Sequence, residues 1–97
     1  MSMYELKPTG QFKKDLKLCQ RRGCNMDNIV TVLEYLRKDG QVPEEYLPHK
    51  LVGRNYKGFW ECHVEPNWLL VYDIQEAVCL VALVRTGTHA DLFKKSK

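Results

Sequence analysis

Trp60-Glu61-Cys62-His63-Val64-Glu65-Pro66-Asn67-Trp68-Leu69-Leu70-Val71-Tyr72 alternates, breaks at Pro66-Asn67 and turns apolar again, the pattern of two strands around a turn. Successive strand side chains point to opposite faces. From Phe59 to Val64, therefore, Trp60, Cys62 and Val64 share one face while Phe59, Glu61 and His63 share the other. The first face is apolar and must be covered; the second carries a carboxylate and an imidazole.

Outward from this stretch, turn signals at Gly53-Arg54-Asn55 and Gln75-Glu76 bound three strand candidates, the last from Val78 to Arg85, in an antiparallel meander. Toward the N-terminus, Met3 to Lys7 reads as a short strand stopped by Pro8, with Thr9 as a helix cap. Phe12, Leu16 and Cys19 then recur at helical spacing between Gly10 and Arg22, and Gly23 ends that helix. Asp27 is read as the cap of a second helix, whose apolar face is Ile29, Val32, Leu33 and Leu36 up to Lys38, closed by Asp39-Gly40. The proline-containing stretch from Gln41 to Pro48 is a loop with one helical turn from Pro43. A strand, two helices and then a run of strands predict an α+β fold: one domain over residues 1–97, two N-terminal helices on one face of a small antiparallel sheet, the other face free.

With 97 residues there is room for one core, and 44% hydrophobic with 28% charged residues is the balance of a globular protein. The first residues hold no apolar stretch of secretory type, and Ala77 to Val84 is too short to span a bilayer, so the cytoplasm is the expected compartment, with no membrane partner. In that reducing setting Cys19, Cys24, Cys62 and Cys79 are read as free thiols, with Cys62 and Cys79 buried in apolar runs. Cys19 and Cys24 lack zinc-knuckle spacing and no second Cys/His pair completes a set, so neither metal nor cofactor is expected.

The net charge of +3 is unevenly placed: Lys13, Lys14, Lys17, Arg21 and Arg22 crowd the first helix, and Lys94, Lys95 and Lys97 end the chain. Such clusters fit phosphate neutralisation on a nucleic acid as well as a solvated helix face and a plain tail. Three histidines, His49, His63 and His89, all lie outside the helices. Gly87 beyond Arg85 lets the backbone turn sharply, and Thr88 with Asp91 forms a capping box for one helical turn that holds His89 close to Arg85.

Three pieces, Pro48-His49-Lys50-Leu51-Val52-Gly53, Trp60 to Tyr72, and Arg85-Thr86-Gly87-Thr88-His89-Ala90-Asp91-Leu92-Phe93, resemble the YafQ branch of the RelE/ParE toxin superfamily in residues, order and spacing. Phe12-Lys13-Lys14-Asp15-Leu16 extends the resemblance toward the N-terminus. It implies a RelE-like fold and a ribonuclease that cuts messenger RNA in the ribosomal decoding site, paired with a RelB/DinJ-like antitoxin. It also places His49, His63 and His89 in the active site, Arg85 beside them, and Phe93 where it helps position the substrate base. Two residues depart from the YafQ pattern, in which aspartate stands where this chain has Glu61 and again where it has Asn67. Glutamate keeps the charge one methylene further out, whereas asparagine cannot take a proton and at most hydrogen-bonds a histidine or the RNA.

Metal-free RNA cleavage needs a base for the ribose 2′-hydroxyl and an acid for the leaving 5′-oxygen, and an imidazole, titrating near ~6.5, suits both. On that chemistry His89 is assigned the acid role and His49 the base, with His63 as alternative base or phosphate contact. Arg85 neutralises phosphate charge, Glu61 steers a histidine, Phe93 stacks on a base, and Lys13, Lys14, Lys17 and Arg21 grip ribosomal RNA. Two other readings stay open: a ParE-like toxin that poisons DNA gyrase without cutting RNA, whose relatives usually lack this histidine set, and a non-catalytic RNA-binding domain, kept open by Asn67.

Overall fold

The computed structural model describes residues 3–53 and 56–93. The basic tail residues Lys94, Lys95 and Lys97, and Arg54-Asn55 of the first turn signal, lie outside the described residues. In chain order the elements are β1 (Glu5–Pro8), α1 (Gly10–Arg21), α2 (Met26–Asp39), a 3₁₀ turn (Glu44–Tyr46), β2 (His49–Lys50), β3 (Trp60–Glu65), β4 (Trp68–Gln75), a second 3₁₀ turn (Glu76–Val78), β5 (Leu80–Gly87) and α3 (His89–Leu92).

The α+β architecture stands, but the sheet is mixed. Its order is β1-β5-β4-β3-β2, with β2 to β5 antiparallel neighbour to neighbour and β1 parallel to β5. The two helices carry the chain across the sheet to its far edge, and the meander then works back until β5 meets β1 running the same way. Two boundaries also shift. Asn25, not Asp27, caps α2: its side chain accepts from the Asp27 amide, which leaves Asp27 in the first turn, where a carboxylate suits the helix dipole. The last strand starts two residues later than its apolar run predicts, because Glu76–Val78 winds into a 3₁₀ turn that ends on Cys79 at φ 49°. Cys79 is therefore half-buried rather than buried, while Cys62 in β3 is fully buried.

The apolar face of β3 is covered as its alternation requires. Phe12 and Cys19 from α1, and Ile29, Val32 and Leu36 from α2, pack on Cys62, Val64, Trp68, Leu70, Tyr72, Val81 and Leu83 of the sheet. The opposite face is not free. Leu69 and Val71 of β4 and Leu92 of α3 form a second cluster, flanked by Leu51, Tyr56, Phe59, Val84 and Phe93. The cause lies in β4, whose Trp68 to Tyr72 are all buried; an unbroken apolar run marks a strand covered on both sides.

One irregularity matters for the site. Val71 pairs with Arg85 but Tyr72 with Leu83, so Val84 is an extra residue in β5. Such a bulge re-aims the side chains beside it: Val84 joins the second cluster and Arg85 reaches across to α1.

Candidate active site

Cross-strand pairing assembles the first part of the site. His49 in β2 lies opposite Glu61 in β3, and its Nε2 stands 3.1 Å from Glu61 Oε1. On the other side of the ring, Nδ1 is 3.1 Å from the Leu47 carbonyl, an acceptor only, so Nδ1 carries the hydrogen. That leaves Nε2 facing the carboxylate. Glu61 was expected on an open face, yet it is 3% exposed. A buried carboxylate is costly unless paired, which makes His49 as necessary to Glu61 as the reverse. Leu47 stands in the left-handed region at φ 52°, where it ends the 3₁₀ turn and delivers that carbonyl.

The third histidine arrives through α3. Thr88 Oγ1 accepts from the Asp91 amide at 3.1 Å and Asp91 Oδ2 accepts from the Thr88 amide at 2.9 Å, the capping box read from the sequence. Gly87 before it has φ 153°, and a Cβ there would come within 2.8 Å of Asp91 Oδ2, so only glycine fits. One residue was not foreseen: Arg22, the C-cap of α1, donates to both Asp91 oxygens at 2.7 and 3.2 Å. The Arg22 guanidinium, and then the capping bonds from Thr88, hold the Asp91 carboxyl well below the usual carboxylate range.

His49, Glu61, His63, His89 and Phe93 line one open cleft of about 520 Å³, with Lys50, Leu51, Val52 and Gly53 completing its wall. The ring of Phe93 packs on His89, centroids 5.1 Å apart. His63 also borders a neighbouring cleft of about 450 Å³. Among the described residues neither His63 nor His89 has a side-chain hydrogen-bond partner, and no group of three or more His, Cys, Asp or Glu side chains is arranged to hold a metal ion.

Arg85 is not on the cleft wall. Its Nε and one terminal nitrogen donate to Asp15 at 2.7 and 3.1 Å, and the other terminal nitrogen donates to the Tyr56 hydroxyl at 3.0 Å. Hydrogen bonding to Asp15 pushes the guanidinium up from its ordinary value. The reason is Asp15 itself, buried in α1 and also accepting from the Thr86 amide; a desolvated carboxylate takes the cation within reach. Arg85 thus meets the site only at second hand, through Tyr56, whose ring stands edge-on to Phe93 at 5.8 Å. Asn67 is exposed in the β3–β4 turn and is not on the wall either. Lys13, Lys14, Lys17 and Arg21 are exposed along α1, whereas Arg22 is committed to Asp91.

Besides the role of Arg22, sequence reasoning missed Lys50, Tyr56 and Asp15. Lys50 had a usable signal, as the cation directly after His49. Nothing local marks Tyr56 or Asp15, whose partner Arg85 lies 29 and 70 positions away.

No helix among the described residues is long and apolar enough to cross a membrane. Residues 4–94 match the family model of the bacterial toxin of type II toxin-antitoxin system, YafQ. A protein named mRNA interferase toxin YafQ, from Escherichia coli, is 36% identical over 94 residues, 96% of this chain and 99% of that protein. A chain of the E. coli DinJ-YafQ toxin-antitoxin complex superposes with a TM-score of 0.83 at 35% identity, over 95% of this chain and 99% of the other. A metal-bound toxin from Helicobacter pylori superposes with a TM-score of 0.83 at 33% identity, over 94% of this chain and 100% of that one. With the fold and nearly the full length in agreement, this chain belongs to the YafQ family of toxins from bacterial type II toxin–antitoxin systems.

Proposed function

We propose that the chain is a ribosome-dependent endoribonuclease toxin that cuts messenger RNA by moving protons between imidazoles, in the cytoplasm, under the control of a DinJ-like antitoxin. The observation that carries this is the convergence of His49, His63 and His89 on one cleft beside Phe93. An in-line attack of the 2′-hydroxyl on its own phosphorus needs one group to accept a proton and another to donate one, each transfer typically worth about 10²–10⁴ in rate. A gyrase poison has no use for three histidines around one cleft.

The hydrogen bonding refines the roles. Both ring nitrogens of His49 are engaged, with Leu47 and Glu61, so His49 can take a substrate proton only by leaving Glu61. Among the described residues His63 and His89 have no side-chain hydrogen-bond partner. The base role therefore moves to His63 and the acid role stays with His89, whose ring Phe93 holds. The His49–Glu61 pair becomes a fixed wall that sets the depth of the cleft. Arg85 does not meet the phosphate; Lys50 supplies the cation at the cleft, and Arg85 steadies Phe93 through Tyr56. Phe93 stacks on a base, at about 1–3 kcal/mol. The exposed lysines of α1 with Arg21 track ribosomal RNA and lend affinity that falls steeply with salt. An acidic antitoxin segment laid over the same cations blocks that approach.

The test is purified protein added to translating ribosomes, with message ends mapped by primer extension. Breaks in phase with codons are expected, with His63→Ala slowed by about 10²-fold or more. Absence of phased breaks from the parent protein overturns the nuclease reading, and a His63→Ala variant as fast as the parent returns the base role to His49.

A further inference from the structure

We propose that Cys19 and Cys24 form a paired thiol site, at which a small-molecule disulfide converts the two side chains into an internal Cys19–Cys24 bridge. The helix end creates the pair. The Cys24 amide donates to the Cys19 carbonyl at 3.1 Å, and the Gly23 amide, in the left-handed region at φ 84°, donates to the Gln20 carbonyl at 3.1 Å. Those two bonds define a Schellman motif, whose geometry brings together the side chain three residues inside the cap and the side chain two residues beyond it. An apolar contact usually fills that place; here both positions are cysteine. A disulfide requires Cα atoms about 4.4–6.8 Å apart, and a turn closed by a six-to-one hydrogen bond folds its two ends back to that kind of separation.

The two thiols are unequal in a way that orders the chemistry. Cys19 is 2% exposed, and burial pushes its thiol up to about 11, with the neighbouring Cys24 next in weight. Cys24 is half-buried and accessible. The Cys24 thiolate attacks one sulfur of the small disulfide, whose sulfur–sulfur bond breaks and releases one small thiol that takes up a proton. Cys19 then loses its proton to water and attacks the Cys24 sulfur of the mixed disulfide, releasing the second small thiol. Two protein thiols are oxidised by two electrons, and one small disulfide is reduced to two thiols. Arg22, which holds Asp91 and with it the cap of α3, lies inside the bridged turn.

The experiment uses the folded full chain carrying Cys79→Ser, so that Cys24 is the accessible thiol among the described residues. After incubation with oxidised glutathione the intact mass should fall by about 2 Da, the loss of two hydrogens. Trypsin cuts at Arg21 and Arg22, so the bridge should appear as two linked peptides containing Cys19 and Cys24. Adding Cys19→Ala should instead leave a persistent mixed disulfide on Cys24. A persistent glutathione adduct on Cys24 while Cys19 is intact, a bridge mapped to another pair, or bridging that survives Cys24→Ser each overturns the proposal.

Discussion

The two faces of β4 divide the molecule's labour. Trp68, Leu70 and Tyr72 look toward α1 and α2, into a core of interlocking, mostly apolar side chains in which the buried Trp68 indole donates to Thr86 Oγ1 at 2.9 Å. Leu69 and Val71 look the other way, into a smaller cluster with Leu92 of α3, flanked by Leu51, Tyr56, Phe59, Val84 and Phe93. The first face supplies stability. The second uses a minimum of apolar packing to hold imidazoles at the edge of an open cleft, and its precision comes from single polar contacts: His49 on Glu61, Thr88 on Asp91, Arg22 on Asp91 and Arg85 on Asp15. Rigidity on one side and accessible imidazoles on the other coexist because the strand between them is buried on both.

Substitutions should separate the two faces cleanly. The largest change is expected from His89→Ala, which removes an exposed ring without opening a cavity: cleavage of ribosome-bound message should drop by about 10²–10⁴ while the thermal midpoint stays put. Leu36→Ala, on the helix-covered face, should do the reverse, losing about 2–5 kcal/mol in denaturant unfolding with the folded fraction still fully active. Comparable losses in both assays from either variant would erase the distinction. Asp15→Ala should cost about 3 kcal/mol, the lower end for a broken ion pair because Arg85 keeps some solvent, and should raise KM as Tyr56 and Phe93 lose their anchor. The smallest effect concerns acid. Asp91 has its carboxyl depressed in the folded state, so its contribution is whole above the ordinary carboxylate value of about 3.9 and fades as pH falls below it. The stability gap between the parent and Asp91→Asn should therefore hold steady from pH 7 to about 4 and narrow beneath that; a gap that widens in acid would reverse the assignment.

Legibility followed the range of each interaction. The alternation of Trp60, Cys62 and Val64 and the spacing of Ile29, Val32 and Leu36 are local periodicities, and both reappear as core. The Thr88–Asp91 box spans three residues and was equally plain. The five-residue apolar run of β4 carried the signal for a second covered face, but only if read for both faces at once. The parallel partnership of β1 with β5, the diversion of Arg85 to Asp15 and the grip of Arg22 on Asp91 join residues some seventy positions apart, and no spacing rule reaches that far. The resemblance drew the three histidines together and put Arg85 next to them. It could not show a bulge at Val84 turning that arginine toward α1.

Because β1 is laced to β5 residue by residue, from Glu5 on Leu80 to Pro8 on Leu83, the sheet acquires its last edge only when two segments some seventy-five positions apart are both at hand. Contacts of such long sequence separation form late and slowly. His89 lies just beyond β5, so a chain made only as far as β4 has neither its closing strand nor its full set of imidazoles. Until β5 and the turn of α3 behind it have been made, the polypeptide has neither a closed sheet nor a finished cleft.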